Sequence, residues 1–375
     1  QDALRPADVR LSAASGVSKL SADGLEPVAQ ELLTRPGIPL IDRLCAAHLL
    51  QSLHSDSAVK IQQSLAVDGE PSVAVLALNA LFRHDPALVL PVAEASLMNR
   101  DAPVRRVAIE TYLKLPTVER LRTLSRHFND LHPELRALVR EGFLTYSADP
   151  QFQSVILETT TAILAGDNWR GQEQASLLMA VLDRKEVAMR LVELLKSDRD
   201  EVMIATSWGL RKLAVPETAP GMTEQLLAHT QNVNIDHEGA THQIIHLSEA
   251  LAMLKYKPAL PVMRKYIPKT DQYHPMARGA AIRAIGVILE DGGTAAEPPP
   301  PESDGALAAE YAELFMERLK DYSSPNPERP HVRRACALAL GRMKMSAYVP
   351  EIKQILGTES SIDRVDLAMR WAIHR

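Results

Sequence analysis

Apolar residues recur along this chain at intervals of three and four, the spacing that places them on one face of an α-helix. In residues 101–115, Val104, Ala108 and Leu115 form such a stripe after a polar turn that contains proline. Residues 329–343 repeat the arrangement, again with Val-Arg-Arg after a turn that contains proline. No segment alternates apolar and polar residues between turn pairs, so strands are not expected. The pattern predicts an all-α protein made of one repeated helical unit.

The repeated unit is predicted to be a pair of helices, of which the second is the longer. Proline often occupies the first turn of this second helix, where its missing N–H costs no hydrogen bond, and Asp or Asn often precedes it as a cap. The predicted starts of the second helices are Ile38, Pro71, Pro103, Pro133, Trp169, Asp200, Glu238, Pro275 and Pro330. Successive starts lie 30 to 38 residues apart, as in helical-hairpin repeats, but the last interval is 55 residues and indicates an insertion.

The motif of these helices resembles HEAT repeats, particularly the short bacterial type found in phycobiliprotein-lyase-like proteins. Residues 101–113 read Asp-x-Pro-Val-Arg-Arg-x-Ala-x-x-x-x-Leu, and residues 332–341 repeat Val-Arg-Arg-Ala and end in Leu-Gly. The resemblance implies an all-α, right-handed α-solenoid of about nine HEAT-like helical hairpins, an armadillo-type superhelix. In such folds the second helices line the concave face. The fold hosts scaffolds, transport receptors, lyases and hydroxylases, so it says little about function.

The resemblance also implies a structural role for an arginine in the first turn of the second helix. In HEAT repeats this arginine often pairs with an acid of a neighbouring repeat. The positions that match are Arg105, Arg136, Arg278 and Arg333, and those that depart from the pattern are Ala74, Gln172 and Met203. We therefore interpret Arg105 as a structural residue and not as a ligand-binding one.

Three parts of the chain are predicted: residues 1–24 as a lead-in or cap, 25–357 as the solenoid, and 358–375 as a capping helix. Two segments interrupt the solenoid. Residues 290–305 are acidic and contain four consecutive prolines, which exclude a helix, and residues 321–330 form a second linker.

Composition excludes several classes of function. The net charge of −5 disfavours nucleic acid as a partner, because the phosphate backbone is bound by clustered Lys and Arg. No run of about 18 apolar residues is present, so no membrane span is expected. The two cysteines, Cys45 and Cys336, lie too many repeats apart for a disulfide and are interpreted as core residues. Core burial is also favoured for Trp208.

The densest group of candidate functional residues lies in residues 236–249. On a helix, His242, His246 and Glu249 share one face, and two imidazoles with a carboxylate are a possible ligand set for zinc or iron. These three residues are the candidate metal ligands. Together with His237 and Glu238 they are also the candidate partner-binding residues. The alternative interpretation is a polar concave face with exposed histidines.

Specific enzyme classes find little support in the sequence. The HEAT-repeat enzyme deoxyhypusine hydroxylase binds two irons with several His-Glu dyads, whereas this chain has the single dyad His237-Glu238. Helix-based DNA glycosylases need a basic groove, which the net charge disfavours. Neither cysteine lies near a base in the sequence, and the segment 291–294 lacks the lysine of a phosphate-binding loop. No cofactor is expected.

The favoured function is therefore a non-catalytic scaffold or adaptor that binds a protein or peptide on the concave face of the solenoid. The alternative is a HEAT-repeat enzyme, either bilin-lyase-like or metal-dependent and centred on His242 and His246. Because the sequence begins with Gln1, we expect either a removed leader or a piece of a larger polypeptide or complex. A bacterial, exported or periplasmic protein is slightly favoured over a cytoplasmic one.

Overall fold

The computed structural model describes residues 6–19, 24–34, 37–231, 238–290, 303–358 and 364–375. Within these ranges the regular structure is helical throughout, with no strand. The chain divides into two compact units: unit 1 is Gln1–Thr160 and unit 2 is Thr161–Arg375. None of the described helices has both the length and the apolar character needed to cross a membrane.

Unit 1 is a stack of paired helices. Its helices are α1 Ala7–Ser18, α2 Leu25–Leu33, α3 Leu40–Leu50, α4 Asp56–Ala66, α5 Pro71–His84, α6 Leu90–Leu97, α7 Ala102–Lys114, α8 Val118–Leu124, α9 Pro133–Tyr146 and α10 Pro150–Ala165, which contains the boundary with unit 2. The second helices α3, α5, α7 and α9 pack in succession, each against the next. Phe128 and Phe143 pack edge to face in the core, with ring centroids 5.1 Å apart.

Unit 2 repeats the arrangement. Its helices are α11 Trp169–Val181, α12 Ala188–Leu194, α13 Asp200–Leu213, α14 Ala219–Gln231, α15 Glu238–Met253, α16 Leu260–Met263, α17 Pro275–Ile288, α18 Asp304–Lys320, α19 Pro330–Arg342, α20 Val349–Thr358 and α21 Val365–Ile373. The second helices α11, α13, α15, α17 and α19 pack in succession, and α19 packs against α21. The first helices α12, α14 and α18 cover one side of α13, α15 and α19.

The second helices begin where the sequence places them. Seven start at the predicted residue, and the other two, α3 and α7, start within two residues of it. The caps agree with the physical argument: Asp101 accepts a hydrogen bond from the Val104 amide, and proline occupies the first turn of α5, α7, α9, α17 and α19. Local sequence chemistry therefore fixes these starts.

First-turn arginines connect successive repeats, as the resemblance implies. Arg105 of α7 donates two hydrogen bonds, of 2.8 and 2.7 Å, to the carboxylate of Asp130, three residues before α9. Arg43 of α3 donates a single hydrogen bond to Asp68, three residues before α5. We call such a contact an arginine clamp. Each of the two acids also accepts a backbone N–H just before the next second helix.

Unit 2 contains the most deeply buried arginine clamp. Arg278 of α17 donates to both carboxylate oxygens of Glu328, at 2.9 and 2.8 Å, and both side chains are at most 2% exposed. Arg278 also donates to the carbonyls of Tyr266 and Ile267. Arg136 and Arg333 instead donate to backbone carbonyls, those of residues 130 and 319.

Two glycines allow second helices of unit 2 to approach closely. A Cβ atom at Gly286 of α17 would lie 2.6 Å from the Cα atom of Ala339 on α19. At Gly341 of α19, a Cβ atom would lie 2.7 Å from the ring of Trp371 on α21. Real side chains do not tolerate such distances, so both positions require glycine.

The two cysteines are buried, as expected, and neither forms a disulfide. Burial raises the pKa of the Cys336 thiol above its usual range. An uncharged, enclosed thiol is chemically inert, so Cys336 acts as a small core residue.

Candidate partner-binding face

The histidine-rich helix α15 is held in a fixed rotation by its buried side. Ile244, Leu247 and Leu251 are at most 1% exposed and face the core, as the sequence indicates. Gln243 is fully buried, donates to the Leu195 carbonyl at 3.0 Å and accepts a hydrogen bond from Gln225. A buried amide is costly unless it is hydrogen-bonded, so this network locks α15 in place. The opposite side of the helix is left partly exposed.

Four of the five candidate residues lie on that exposed side. Glu238, His242, His246 and Glu249 occupy successive turns of α15. The His242 Nε2 atom lies 4.0 Å from Glu238 Oε1, and the rings of His242 and His246 have centroids 6.2 Å apart. The fifth candidate, His237, lies outside the described residues. The structure therefore brings the two histidines and two carboxylates to one face.

Glu249 pairs with a cation that the sequence analysis did not consider. Arg211, near the end of α13, donates a hydrogen bond to the Glu249 carboxylate. The two residues are 38 positions apart, and both side chains are about one-third exposed. Glu249 is thus already compensated by a guanidinium, which reduces its availability as a metal ligand.

His246 is neutral at physiological pH. Burial, with the positive charge of Arg211, lowers its pKa to about 4, against a smaller opposing effect of Glu249. Its Nδ1 atom is buried and has no hydrogen-bond partner among the described residues. A neutral imidazole with an unoccupied nitrogen can accept a proton, a hydrogen bond or a metal ion.

The metal hypothesis for His242, His246 and Glu249 stays a prediction. Among the residues that the structure describes, no group of three or more His, Cys, Asp or Glu side chains is arranged to hold a metal ion. The rings of His242 and His246 are tilted by 38° to each other, and Glu249 is turned toward Arg211. The same residues remain candidates for contact with a partner.

The exposed side of α15 continues on its neighbours. Each of the helices α13, α15 and α19 is covered by a first helix on one side and by the preceding and following helices of the stack on two others, so one side remains accessible. We call this surface the second-helix face of unit 2. Its partly or fully exposed members are Leu177, Ile204, Trp208, Arg211, His242, Ile245, His246, Glu249, Arg283, Val287, Arg334, Leu338 and Arg342.

The expectation for Trp208 was wrong. Core burial was favoured because Trp208 is surrounded by apolar residues in the sequence, but the structure leaves its side chain partly exposed on this face. Its neighbours Ser207 and Gly209 are the buried positions. Gly209 is the position at which α13 packs closely on Leu191 and Ala180, and this contact turns Trp208 outward.

Comparison with known proteins identifies the fold. No protein-family model matches the sequence, and no characterised protein matches it at the sequence level. The structure is similar to that of Kap95p with RanGDP, with a TM-score of 0.60 and 14% identity, over 99% of this chain and 55% of that chain. It is also similar to Kap121p bound to Nup53p, with a TM-score of 0.58 and 12% identity, over 98% of this chain and 44% of that chain.

This chain therefore spans about half the length of the karyopherin chains that it matches. At these identities the similarity shows the fold alone, which is an all-α solenoid of the HEAT/armadillo type. The CpcE–CpcF complex of phycocyanin lyase from Nostoc also matches, with 15% identity over 69% of this chain and 94% of that chain. Its TM-score of 0.37 is too low to support an argument about a lyase activity.

Proposed function

We propose that this protein is a non-catalytic scaffold or adaptor that binds a protein or peptide through the second-helix face of unit 2. The observation that carries the proposal is the partly exposed Trp208, which lies on this face with apolar Leu177, Ile204 and Ile245. A large aromatic side chain with apolar neighbours and a polar surround is the usual anchor of a protein interface. The karyopherin Kap121p, which has the same kind of fold, binds Nup53p and the C-terminus of a phosphatase.

Photo-crosslinking tests the location of the interface. A photoreactive phenylalanine analogue at Ile204 is expected to yield discrete adducts with a partner in the native host. The matched control is the same analogue at Met189, a hydrophobic residue that is 56% exposed on the first helix α12. Equal adducts from the two positions, or adducts from Met189 alone, would contradict the proposal.

A substitution of Trp208 tests the anchor itself. Trp208→Ala is expected to weaken binding of the captured partner by at least 30-fold, because a central interface tryptophan contributes about 2 kcal/mol or more. Trp169→Ala, in the same unit, serves as the control for the general effect of losing a tryptophan. Identical affinities of the wild-type and Trp208→Ala proteins would refute the role of Trp208.

Metal binding is the second candidate function, and His246 is the observation in its favour. Its imidazole is neutral and its Nδ1 atom is buried without a partner among the described residues, which is the state that a metal-ligating histidine requires. Elemental analysis of the purified protein would test this candidate. Stoichiometric zinc or iron that is lost in His242→Ala and His246→Ala would favour it over the scaffold.

A further inference from the structure

Two neighbouring helices of unit 2 present arginines and apolar residues in alternation. On α19, Arg334, Leu338 and Arg342 follow one another at i, i+4 and i+8, so they lie along one side of the helix. On α17, Arg283 and Val287 are spaced in the same way. All five side chains are partly or fully exposed. We call this group the arginine patch.

A cavity opens between the helices that carry the patch. It has a volume of about 390 Å³ and is lined by Arg283, Leu338, Ala339, Arg342, Trp371 and Arg375. The guanidinium of Arg375 lies 5.0 Å from the ring centre of Trp371. Basic groups therefore surround an apolar floor, which suits a side chain that is itself apolar and flanked by negative charges.

Among the described residues, the charges of the patch are compensated only in part. Neither α17 nor α19 contains an acidic residue, and their first-turn arginines are engaged by Glu328 and by the Leu319 carbonyl. Two acids act on the patch: Glu249, which pairs with Arg211, and Glu290, which pairs with Lys255 at 2.8 Å and with Arg342 at 3.7 Å.

Arg283 and Arg334 form no ion pair with any residue that the structure describes. The two cations are close enough to act on each other: burial lowers the pKa of Arg283, and the charge of Arg334 lowers it further against the opposing effect of Glu249. Like charges held close together cost free energy, which a bound anion would recover.

A comparison within the chain shows what is unusual about Arg334. Arg106 of α7 occupies the same second position of a Val-Arg-Arg motif. It is compensated twice, by Glu110 of its own helix at 3.9 Å and by Glu134 of the next second helix at 2.5 Å. Beside Arg334, Leu338 takes the position of Glu110, and Asp366, the acid at the second position of the next helix α21, forms no ion pair with Arg334. The same motif therefore belongs to a closed ion-pair network in unit 1 and to an open cationic surface in unit 2.

We propose that the arginine patch binds a carboxylate-rich peptide segment that places one apolar side chain in the cavity beside Trp371 and Leu338. This proposal rests on the proposed function and specifies the chemistry of the partner. Guanidinium groups bind carboxylates through paired, charge-assisted hydrogen bonds, and extended acidic segments can reach several helices of a stack. The whole chain carries a net charge of −5, whereas the patch is basic. The local positive potential of the patch therefore directs acidic ligands to this location.

An acidic peptide fits the patch better than a nucleic acid does. Val287 and Leu338 separate the arginines, so the basic residues do not form the continuous track that a phosphate backbone follows. The cavity contains a single aromatic side chain, Trp371, whereas single-stranded nucleic acids are bound by successive stacking platforms.

Fluorescence anisotropy with the full 375-residue chain tests the proposal. The probe is a fluorescein-labelled peptide of glutamates with one central leucine, and the controls are the same peptide with lysines for glutamates and a labelled oligothymidylate. The acidic peptide is expected to bind at least tenfold more tightly than both controls. Its affinity is expected to fall as NaCl rises from 50 to 500 mM, because salt screens the ion pairs.

Substitutions then locate the site. Arg283→Gln and Arg334→Gln are each expected to weaken binding of the acidic peptide about tenfold or more. Arg342→Gln, at an exposed position that the fold does not need, is expected to weaken it as well. Arg106→Gln is the matched control and should leave the affinity unchanged. Tryptophan fluorescence and circular dichroism of each variant establish that it is folded.

Each other result overturns the proposal. Equal binding of the acidic and basic peptides, unchanged affinity in all three patch variants, or an equal loss in Arg106→Gln would each refute it. If the oligothymidylate binds more tightly than the acidic peptide and loses its affinity in the same variants, the ligand of the patch is a nucleic acid and the proposal is wrong. The crosslinking at Ile204 is independent of these measurements: adducts there without binding of the acidic peptide would leave the scaffold function intact and refute only this ligand class.

Discussion

Replacing Glu328 by leucine is expected to destabilise unit 2 by about 3–5 kcal/mol. The substitution leaves the guanidinium of Arg278 buried without its counter-ion, and removes two hydrogen bonds of 2.9 and 2.8 Å. Arg278 keeps its donors to two backbone carbonyls, but Arg318, 4.0 Å from Glu328, is a further cation and gives no compensation. The full desolvation cost of a charge therefore falls on the folded state.

The magnitude follows from burial. Both side chains are at most 2% exposed, so neither solvent nor salt screens the unpaired charge. The ion pair between Lys257 and Asp304 provides the contrast, since its side chains are 51% and 65% exposed. Lys257→Gln removes one partner of this pair and should change the free energy of unfolding by no more than about 0.5 kcal/mol.

Tryptophan fluorescence in urea is the suitable assay, because all three tryptophans, Trp169, Trp208 and Trp371, belong to unit 2. The double variant Arg278→Met, Glu328→Leu removes both charges and should recover much of the loss, since a buried pair can be replaced by apolar residues at little cost. A loss of less than about 1 kcal/mol in Glu328→Leu, or a double variant that is no more stable than the single one, would refute the reasoning.

Three further predictions concern other parts of the chain. In proton NMR, the His246 imidazole is expected to titrate near pH 4, and Arg211→Gln should raise its pKa. Because the folded state binds the proton less readily than the unfolded state, stability should fall as the pH drops from about 6.5 to 4. A normal titration near pH 6.5 would contradict the described burial. Asp130 has its pKa raised by burial but lowered much more by hydrogen bonds from His127 and Arg105, so it is held well below its usual range. The ionised Asp130 should therefore contribute its full share to the stability of unit 1 above the usual carboxyl pKa, near pH 4, and lose it as the pH falls further. Hydrogen exchange should show that Asp130→Asn abolishes this acid sensitivity of unit 1. Gly286→Ala should cost about 1 kcal/mol or more in urea unfolding, because the clash with the next helix exceeds the gain in helix propensity. A stabilised variant would show that the two helices can separate.

The second helices could be predicted from the sequence because local chemistry determines their starts. Proline in the first turn and a capping Asp or Asn are visible within five residues, and the structure places the starts at or near those positions. The arginine clamp of Arg105 was implied by the resemblance to HEAT repeats and is present in the structure. The clamp of Arg43 was not predicted, because α3 starts at Leu40 and not at Ile38. With the predicted start, Arg43 does not fall at the first-turn position of the arginine.

The hairpin turns of unit 2 were not predictable in the same way. Asp183, Ala214, Lys255 and Lys344 follow the second helices in the left-handed region, with φ between 50° and 55°. This region favours glycine, and the absence of glycine at these positions removes the usual sequence signal for a turn.

The candidate site was predicted only in part. The spacing of His242, His246 and Glu249 correctly placed them on one face of α15. The pairing of Glu249 with Arg211, the exposure of Trp208 and the arginine patch depend on which helices lie next to each other, and sequence spacing alone does not give that. The repeat count and the limits of the three predicted parts stay predictions.

The clamp between Arg278 and Glu328 also explains why the last repeat interval can be long. It joins residues 50 positions apart, and α17 and α19 pack against each other directly, so both ends of the intervening chain are fixed by contacts outside it. The entropy of closing a loop rises only with the logarithm of its length, by about 0.6 kcal/mol for each doubling. The number of residues between Glu290 and Ser303 therefore has little effect on the free energy of folding. This junction is the place where the protein could accept a longer insertion, or a new domain, without loss of the stack on either side.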